Sequence, residues 1–153
     1  MGLAAGRDIE ARVAGLLKGR DEIRMVFAAA PSQNEVLDYL ASSALIDWGR
    51  VTAFHMDEYI GLNGSSDQLF SRYLQRRLFN RVSMKKVWLL DGNADPVREA
   101  ARYSELISEA PIDVICLGIG ENGHIAFNDP PVADFDDPLT VKKVSLDRSC
   151  RMQ

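Results

Sequence analysis

IDVICLGIG, at residues 112–120, carries the clearest strand signal in the sequence. Its apolar residues form a continuous run, which is typical of a strand buried on both faces of a parallel sheet. Three earlier runs have the same character: residues 23–30 (IRMVFAAA), 51–56 (VTAFHM) and 87–90 (VWLL). We predict that these four segments are parallel strands of one sheet.

Segments with a helical spacing of apolar residues separate the four runs. Strands that alternate with helices predict βαβ units with right-handed crossovers. The fold class that follows is α/β, a three-layer Rossmann-like parallel sheet with helices on both faces. The predicted helices cover residues 9–17 with Asp8 as the N-cap, 36–44, 69–78 and 97–107, and residues 141–146 read as a further strand.

Length and composition predict one soluble globular domain over residues 1–153. The 153 residues are 46% hydrophobic and 26% charged, as is typical of soluble domains. A net charge of −4 disfavours a broad cationic face for nucleic acid. No apolar run reaches the ~20 residues of a membrane span, and the N-terminal residues do not resemble a signal peptide. Cys116 and Cys150 read as inert thiols of a reducing cytoplasm.

Parallel α/β sheets bind their ligands outside the carboxyl ends of the strands. Three loops follow predicted strands and would meet at that edge of the sheet: residues 31–34, 57–62 and 118–131. These loops are therefore the places where we look for chemistry.

Gly118, Gly120 and Gly123 spell G-x-G-x-x-G, the nominal dinucleotide fingerprint. That fingerprint belongs to the first βα turn and opens a helix, whereas this one follows the fourth strand and leads to two prolines. We therefore expect no nucleotide or other cofactor. The three glycines are predicted to let backbone amides approach a small polar ligand closely.

His124 follows this turn, with Asn122 before it and Asp129 after it. A lone histidine is more often a surface or core residue than a functional one. Here a carboxylate close in sequence can hold the imidazole in one tautomer, which suits a proton relay near neutral pH. We predict a functional histidine at the carboxyl end of the fourth strand.

Asp57 and Glu58 follow the second strand. Neighbouring residues of an extended chain point to opposite sides, so we expect only one of the two to face the site. A solvated acidic loop is the alternative. Burial behind the adjacent aromatic side chains would raise the pKa of a carboxyl group and make it a usable base. A metal site built from His55, Asp57, Glu58 and His124 is disfavoured, because the chain has only two histidines and neither shows the spacing of a ligand pair.

Ser32, Gln33 and Asn34 lie at the junction between the first strand and the next helix. The N-terminus of a helix has unpaired N–H groups and the positive end of the dipole, which favour an anion such as phosphate. A plain helix cap is the equally weighted alternative.

Three pieces of the chain match a known pattern: FHMDEYIGL at 54–62, LLDGNA at 89–94 and LGIGENGHIAFNDPP at 117–131. On these pieces the sequence resembles the glucosamine-6-phosphate deaminase/isomerase family. The related 6-phosphogluconolactonases share the loop of glycines and histidine, but usually continue it differently. Phe127-Asn128-Asp129-Pro130 and Tyr59 resemble the deaminase branch.

The resemblance implies a role for each candidate residue. Asp57 would move a proton between C2 and C1 of the opened sugar, and His124 would exchange a proton with the ring oxygen. Asp129 stands where the family normally has a glutamate, and Asn122 where the deaminases usually have an aspartate. The predicted substrate-binding residues are Ser32, Gln33, Asn34, Glu58, Gly118, Gly120 and Gly123, of which the first three replace a phosphate loop richer in glycine and threonine.

The function expected from the resemblance is conversion of a hexosamine 6-phosphate to a ketose 6-phosphate plus ammonia. A lactone hydrolase of the 6-phosphogluconolactonase kind and a non-catalytic sensor of sugar phosphates are the alternatives. The expected partner is a small-molecule sugar phosphate, without nucleic acid or membrane, and homo-oligomer formation stays open. Because the family continues well beyond this region, we expect the domain to be truncated at its C-terminus.

Overall fold

The computed structural model describes residues 1–120 and 122–146. The four strands are β1 (Ile23–Phe27), β2 (Val51–His55), β3 (Lys86–Val87) and β4 (Val114–Cys116). They form one sheet in the order β3-β2-β1-β4, and every neighbouring pair is parallel. The prediction that the four apolar runs form parallel strands of one sheet is confirmed. Every residue of β1 and β2 is buried, including the polar Arg24, Thr52 and His55. β4 lies at the edge of the sheet with Ile115 exposed, so the prediction that residues 112–120 form a strand buried on both faces is wrong.

Helices cover both faces of the sheet, as predicted. They are α1 (Gly2–Leu17), α2 (Asn34–Ser42), α3 (Phe70–Leu74) and α4 (Pro96–Ser108). A 3-10 turn, Pro31–Gln33, leads into α2, and a π-helical stretch, Gln75–Phe79, continues α3. Side chains of α1, α2 and α3 pack on one face of the sheet, and Tyr103 of α4 packs on the other against Val26 and Phe54.

Helix α1 begins earlier than predicted. Its N-cap is Met1, so the expectation that Asp8 caps this helix is wrong, and Asp8 lies inside it. The first turns of α1 are held by packing on α2, because Gly6 is buried and a Cβ atom there would lie 2.7 Å from Cδ1 of Tyr39. Contact with a second helix thus extends α1 beyond the limits that its own apolar spacing indicates.

The strands end sooner than their apolar runs. β3 has two residues and β4 three, although Trp88 N–H still donates to the Ala53 carbonyl at 2.8 Å. The strand predicted for residues 141–146 is wrong, because this segment has no regular secondary structure. Val141 instead packs as part of a loop on the face that α4 covers. Cys150 lies outside the described residues.

Candidate active site

The carboxyl ends of β1, β2 and β4 lie side by side. Ala28 N–H donates to the Cys116 carbonyl at 2.9 Å, and Met56 N–H donates to the Phe27 carbonyl at 3.3 Å. The three loops chosen from the sequence therefore leave the sheet at the same edge. Asp57 and Gly118 follow the ends of β2 and β4 at this edge, as predicted.

Two contacts join the loops to one another. A Cβ atom at Gly118 would lie 3.3 Å from Nε2 of Gln33, so the loop of residues 118–131 runs against the turn that precedes α2. The rings of Tyr59 and Phe127 pack with centroids 5.1 Å apart, and Phe70 of α3 contacts both. This aromatic cluster connects the loop after β2 with the loop after β4.

Asp57 is a half-buried carboxyl group. Within the described residues, no hydrogen-bond donor reaches its side chain. Burial, followed by the charge of Glu58, raises the pKa of Asp57 from its ordinary value of 3.8 to about 7. The burial expected behind the aromatic residues is thus present, and the group can hold or release a proton at neutral pH.

Glu58 points to the start of α3 instead. Its carboxylate accepts hydrogen bonds from the backbone N–H groups of Phe70 at 3.0 Å, Ser71 at 2.9 Å and Tyr59 at 3.0 Å. A carboxylate at the positive end of a helix is favourable, and α3 has no other side-chain cap. The two adjacent acids therefore differ in role, and substrate binding by Glu58 stays a prediction.

His124, Asn122 and Asp129 form one hydrogen-bonded group. Asn122 Oδ1 lies 2.5 Å from Nδ1 of His124 and accepts the backbone N–H of His124 at 3.2 Å. Asn122 Nδ2 donates to Oδ1 of the buried Asp129 at 3.1 Å, and Nδ1 of His124 is 3.4 Å from the same oxygen. Because Nδ1 faces two acceptors, it carries the proton of the neutral ring, which leaves Nε2 as the acceptor nitrogen.

Glycines make room for this histidine. A Cβ atom at Gly120 would overlap the imidazole of His124. Gly120 N–H donates to the His124 carbonyl at 2.9 Å, and Gly123, with φ of +87°, donates to the Gly120 carbonyl at 2.9 Å. These two amides are thus used within the loop, and their contact with a ligand stays a prediction. Residues 122–131 form turns and one isolated bridge rather than a helix, unlike a dinucleotide site.

Ser32 and Gln33 lie in the 3-10 turn, and Asn34 is the first residue of α2. No side chain caps α2, so a plain side-chain cap is not what these residues provide. The Oδ1 atom of Asn34 accepts a hydrogen bond from the hydroxyl of Tyr73. Of the three predicted phosphate ligands, Ser32 and Gln33 lie beside Gly118, while Asn34 is tied to α3.

A cavity of about 930 Å³ opens beside Asp57. Its lining includes Asp57, Glu58, Tyr59 and Phe127 from the loops, with Tyr103 from α4. The volume is that of a typical small-molecule site. Within residues 1–120 and 122–146, no cluster of acidic, histidine or cysteine side chains could hold a metal ion. No helix in that part of the chain is long and apolar enough to cross a bilayer.

Sequence reasoning missed His55 as part of this region, except as an unlikely metal ligand. Its ring is fully buried and lines the cavity. The only signal was a histidine at the end of an apolar strand, which is also typical of a core residue. The aromatic cluster was missed as well, because Tyr59, Phe70 and Phe127 are brought together only by the tertiary fold.

Comparison with known proteins places the chain in a family. The profile of the family described as glucosamine-6-phosphate isomerases/6-phosphogluconolactonase matches residues 1–136. A glucosamine-6-phosphate deaminase of Exiguobacterium is 47% identical over 89 residues, which are 58% of this chain and 35% of that protein. A glucosamine-6-phosphate deaminase of Streptococcus pyogenes serotype M1 is 45% identical over 86 residues, 56% of this chain and 37% of that protein. The matched regions thus span little more than a third of these curated relatives.

Solved structures share the fold. A monomeric glucosamine-6-phosphate deaminase superposes with a TM-score of 0.84 at 24% identity, covering 99% of this chain and 63% of that chain. The 6-phosphogluconolactonase of Thermotoga maritima gives a TM-score of 0.75 at 26% identity, covering 82% of this chain and 58% of that chain. With the profile matching most of its length, the chain belongs to the glucosamine-6-phosphate isomerase/6-phosphogluconolactonase family.

Proposed function

We propose that the protein is a deaminase/isomerase that converts a hexosamine 6-phosphate and water to a ketose 6-phosphate and ammonia. The observation that carries the proposal is Asp57, a half-buried carboxyl group beside a cavity, with a pKa raised to about 7. A base near neutral pKa is suited to removing a proton from carbon and returning it to the neighbouring carbon. The names of the curated relatives support this reaction.

In the proposed reaction Asp57 acts on the opened sugar. Its carboxylate takes the proton from C2, and the resulting acid delivers it to C1. No described donor holds the carboxylate in its ionised form, so both protonation states are accessible near pH 7. Glu58 is a positioning residue in this scheme, because it ties the loop of Asp57 to the start of α3.

His124 serves ring opening in the same proposal. Its Nδ1 is bound by Asn122 and lies near Asp129, so Nε2 is the atom that exchanges a proton with the ring oxygen. Asn122 holds geometry by hydrogen bonding but cannot exchange a proton at neutral pH. Asp129 is therefore the one carboxylate of the group that stabilises a protonated His124.

The phosphate of the substrate is proposed to bind at the turn before α2. Ser32 and Gln33 lie there beside Gly118, and no side chain makes a capping hydrogen bond to this nine-residue helix. The N–H groups of Gln33 and Asn34 donate to the Ala30 and Pro31 carbonyls, so the proposed phosphate ligands are the side chains of Ser32 and Gln33 at the positive end of the helix dipole. Inorganic phosphate should then shift the NMR signals of these residues.

Lactone hydrolysis is the second candidate, favoured by the fold shared with the Thermotoga maritima lactonase. Hydrolysis needs an activated water, whereas isomerisation needs a base that returns its proton to carbon. Residues 127–130, which resemble the deaminase branch, favour the deaminase. We also propose that residues 1–153 belong to one domain, that the protein works in the cytoplasm, and that it binds no nucleic acid.

The test measures ammonia and ketose phosphate together, with glucosamine 6-phosphate as substrate and 6-phosphogluconolactone hydrolysis as the second assay. Asp57→Asn is expected to lower kcat for deamination by at least ~100-fold. Asp8→Asn, on the exposed side of α1, is the matched control and should keep full turnover. Full turnover by a folded Asp57→Asn protein, or lactonase activity without deamination, would overturn the proposal.

A further inference from the structure

His55, the last residue of β2, is buried with an exposed fraction of 0%. Its Nε2 accepts a hydrogen bond from the backbone N–H of Leu90 at 2.8 Å. A ring nitrogen that accepts this bond carries no proton, so in the neutral ring the proton is on Nδ1. Burial lowers the pKa of His55 to about 4, which keeps the ring neutral at physiological pH.

The Nδ1–H group of His55 is a buried donor that faces the backbone of Asp57, which raises the pKa of the ring as a hydrogen-bond acceptor does. This contact falls short of full hydrogen-bond geometry, and among residues 1–120 and 122–146 no other atom accepts from Nδ1. A buried donor without a full hydrogen bond is destabilising, and such groups in folded proteins call for an explanation. The charge of the Glu58 carboxylate and the backbone of Asp57 both raise the pKa of His55, against the larger effect of burial. The ring therefore lies next to the turn that carries the candidate base.

The residue is anchored on two sides. The Tyr103 hydroxyl accepts the backbone N–H of His55 at 2.9 Å and lies 2.9 Å from the His55 carbonyl oxygen. Leu90, beyond β3, holds the ring itself. The end of β2, which lies two residues before Asp57, is thus fixed to α4 and to the segment after β3. The charged and titratable groups around the ring are Asp57, Glu58, Glu99 with its ion-pair partner Arg102, and Tyr103.

We propose that His55 is a positioning residue for Asp57, whose neutral ring, held by Leu90 with its proton on Nδ1, fixes the turn that places the Asp57 carboxyl group at the cavity. The inference rests on the proposed function, because it assigns Asp57 the role of base. Displacement of a reacting group by about 1 Å can lower a rate by about 100-fold. A leucine would fill the space but would leave the Leu90 N–H group without its acceptor.

Three substitutions separate the functions of the two ring nitrogens. His55→Gln places an amide oxygen near the position of Nε2 and can still accept from Leu90. His55→Asn places an amide nitrogen near the position of Nδ1 and loses the bond to Leu90. His55→Leu has no polar atom at either position. Thr52→Val, on the same strand, removes a side-chain hydrogen bond to Glu22 at the other end of β2 and serves as the matched control.

We expect His55→Gln to keep kcat within about threefold of wild type, and His55→Asn and His55→Leu to lower kcat by about 10- to 100-fold with little change in KM. The pH profile of kcat/KM should keep its limb near pH 7 in His55→Gln and shift in His55→Leu, because the surroundings of Asp57 change. Thr52→Val should alter stability but not kcat. Gln and Asn retain a polar side chain, so the comparison stands even where His55→Leu does not fold.

The tautomer is tested directly by the ¹⁵N spectrum of the histidine rings. The chain has two histidines, so the histidine signals of the His124→Gln variant come from His55 only. We expect a protonated Nδ1 and an unprotonated Nε2 from pH 5 to pH 8. The opposite tautomer, or wild-type kcat in His55→Asn and His55→Leu while Asp57→Asn is inactive, would overturn the proposal for His55 alone. Activity in Asp57→Asn would instead overturn the proposed function.

Discussion

Replacing Asp57 by asparagine should stabilise the protein at neutral and alkaline pH while it removes activity. The folded state raises the pKa of Asp57, so folding favours the protonated carboxyl group over the carboxylate. The stability contributed by this preference is fully present below pH 3.8, the ordinary pKa, and is lost as the pH rises through about 7. Asparagine has a similar shape and no charge, so the variant does not lose this stability as the pH rises from 3.8 to about 7.

The size of the effect follows from the pKa. A rise from 3.8 to about 7 corresponds to about 4 kcal/mol, since one pKa unit is worth about 1.4 kcal/mol. Residual solvation of the half-buried carboxylate makes this an upper value. Against a total stability of about 5–15 kcal/mol for a typical domain, the difference is large. In a chain of this size, each kcal/mol of added stability raises the melting temperature by roughly 2–4 °C.

The assay is urea unfolding of the wild type and of Asp57→Asn at intervals from pH 4 to pH 9. All other titrating groups are shared, so the difference in the free energy of unfolding isolates Asp57. This difference should grow in favour of the variant between about pH 4 and pH 7 and then level off. Asp8→Asn removes one exposed charge and is the control. A difference between Asp57→Asn and wild type that does not change with pH would refute the burial argument.

Two further predictions concern the loop after β4. Gly120→Ala should lower kcat about 100-fold with little loss of stability, because the new Cβ atom displaces the His124 ring. Gly15→Ala is the control and should keep wild-type turnover, because a Cβ atom there meets no atom within 4 Å. Wild-type turnover by Gly120→Ala would contradict the placement of the ring. In the full-length protein, Asn122→Asp should raise turnover of cyclic glucosamine 6-phosphate, and Asp129→Asn should abolish most of it. Unchanged rates in both, with His124→Ala also silent, would mean that this loop relays no proton.

The sheet could be predicted from the sequence because its two central strands, β1 and β2, are buried and mostly apolar. Their polar residues Arg24, Thr52 and His55 are buried as well, so each apolar run still marks a strand. In residues 141–146, VKKVSL, polar side chains separate the apolar ones, and in the described structure this segment packs as a loop without a neighbouring strand. A short strand-like pattern therefore becomes a strand only where the tertiary fold offers it an edge to pair with.

The candidate site could be predicted only in part. Asp57 and His124 could be found because they follow strands whose carboxyl ends meet at one edge. The helix cap formed by Glu58 depends on Phe70 and Ser71, twelve and thirteen residues further along the chain, so no local pattern indicates it. The bond between His55 and Leu90 joins residues 35 positions apart and depends on the pairing of β2 with β3.

Asn122 lies between His124 and Asp129, at the position where the resemblance to the deaminases implies a carboxylate. One end of its side chain faces His124 and the other donates to Asp129 at 3.1 Å. A carboxylate in the same place would set two negative charges against each other, and one proton would have to be shared between them. The amide avoids this repulsion and donates a hydrogen bond to Asp129, but it has no proton to exchange at neutral pH. In the proposed function, Asn122 thus serves to fix the orientation of His124 and does not extend the proton relay.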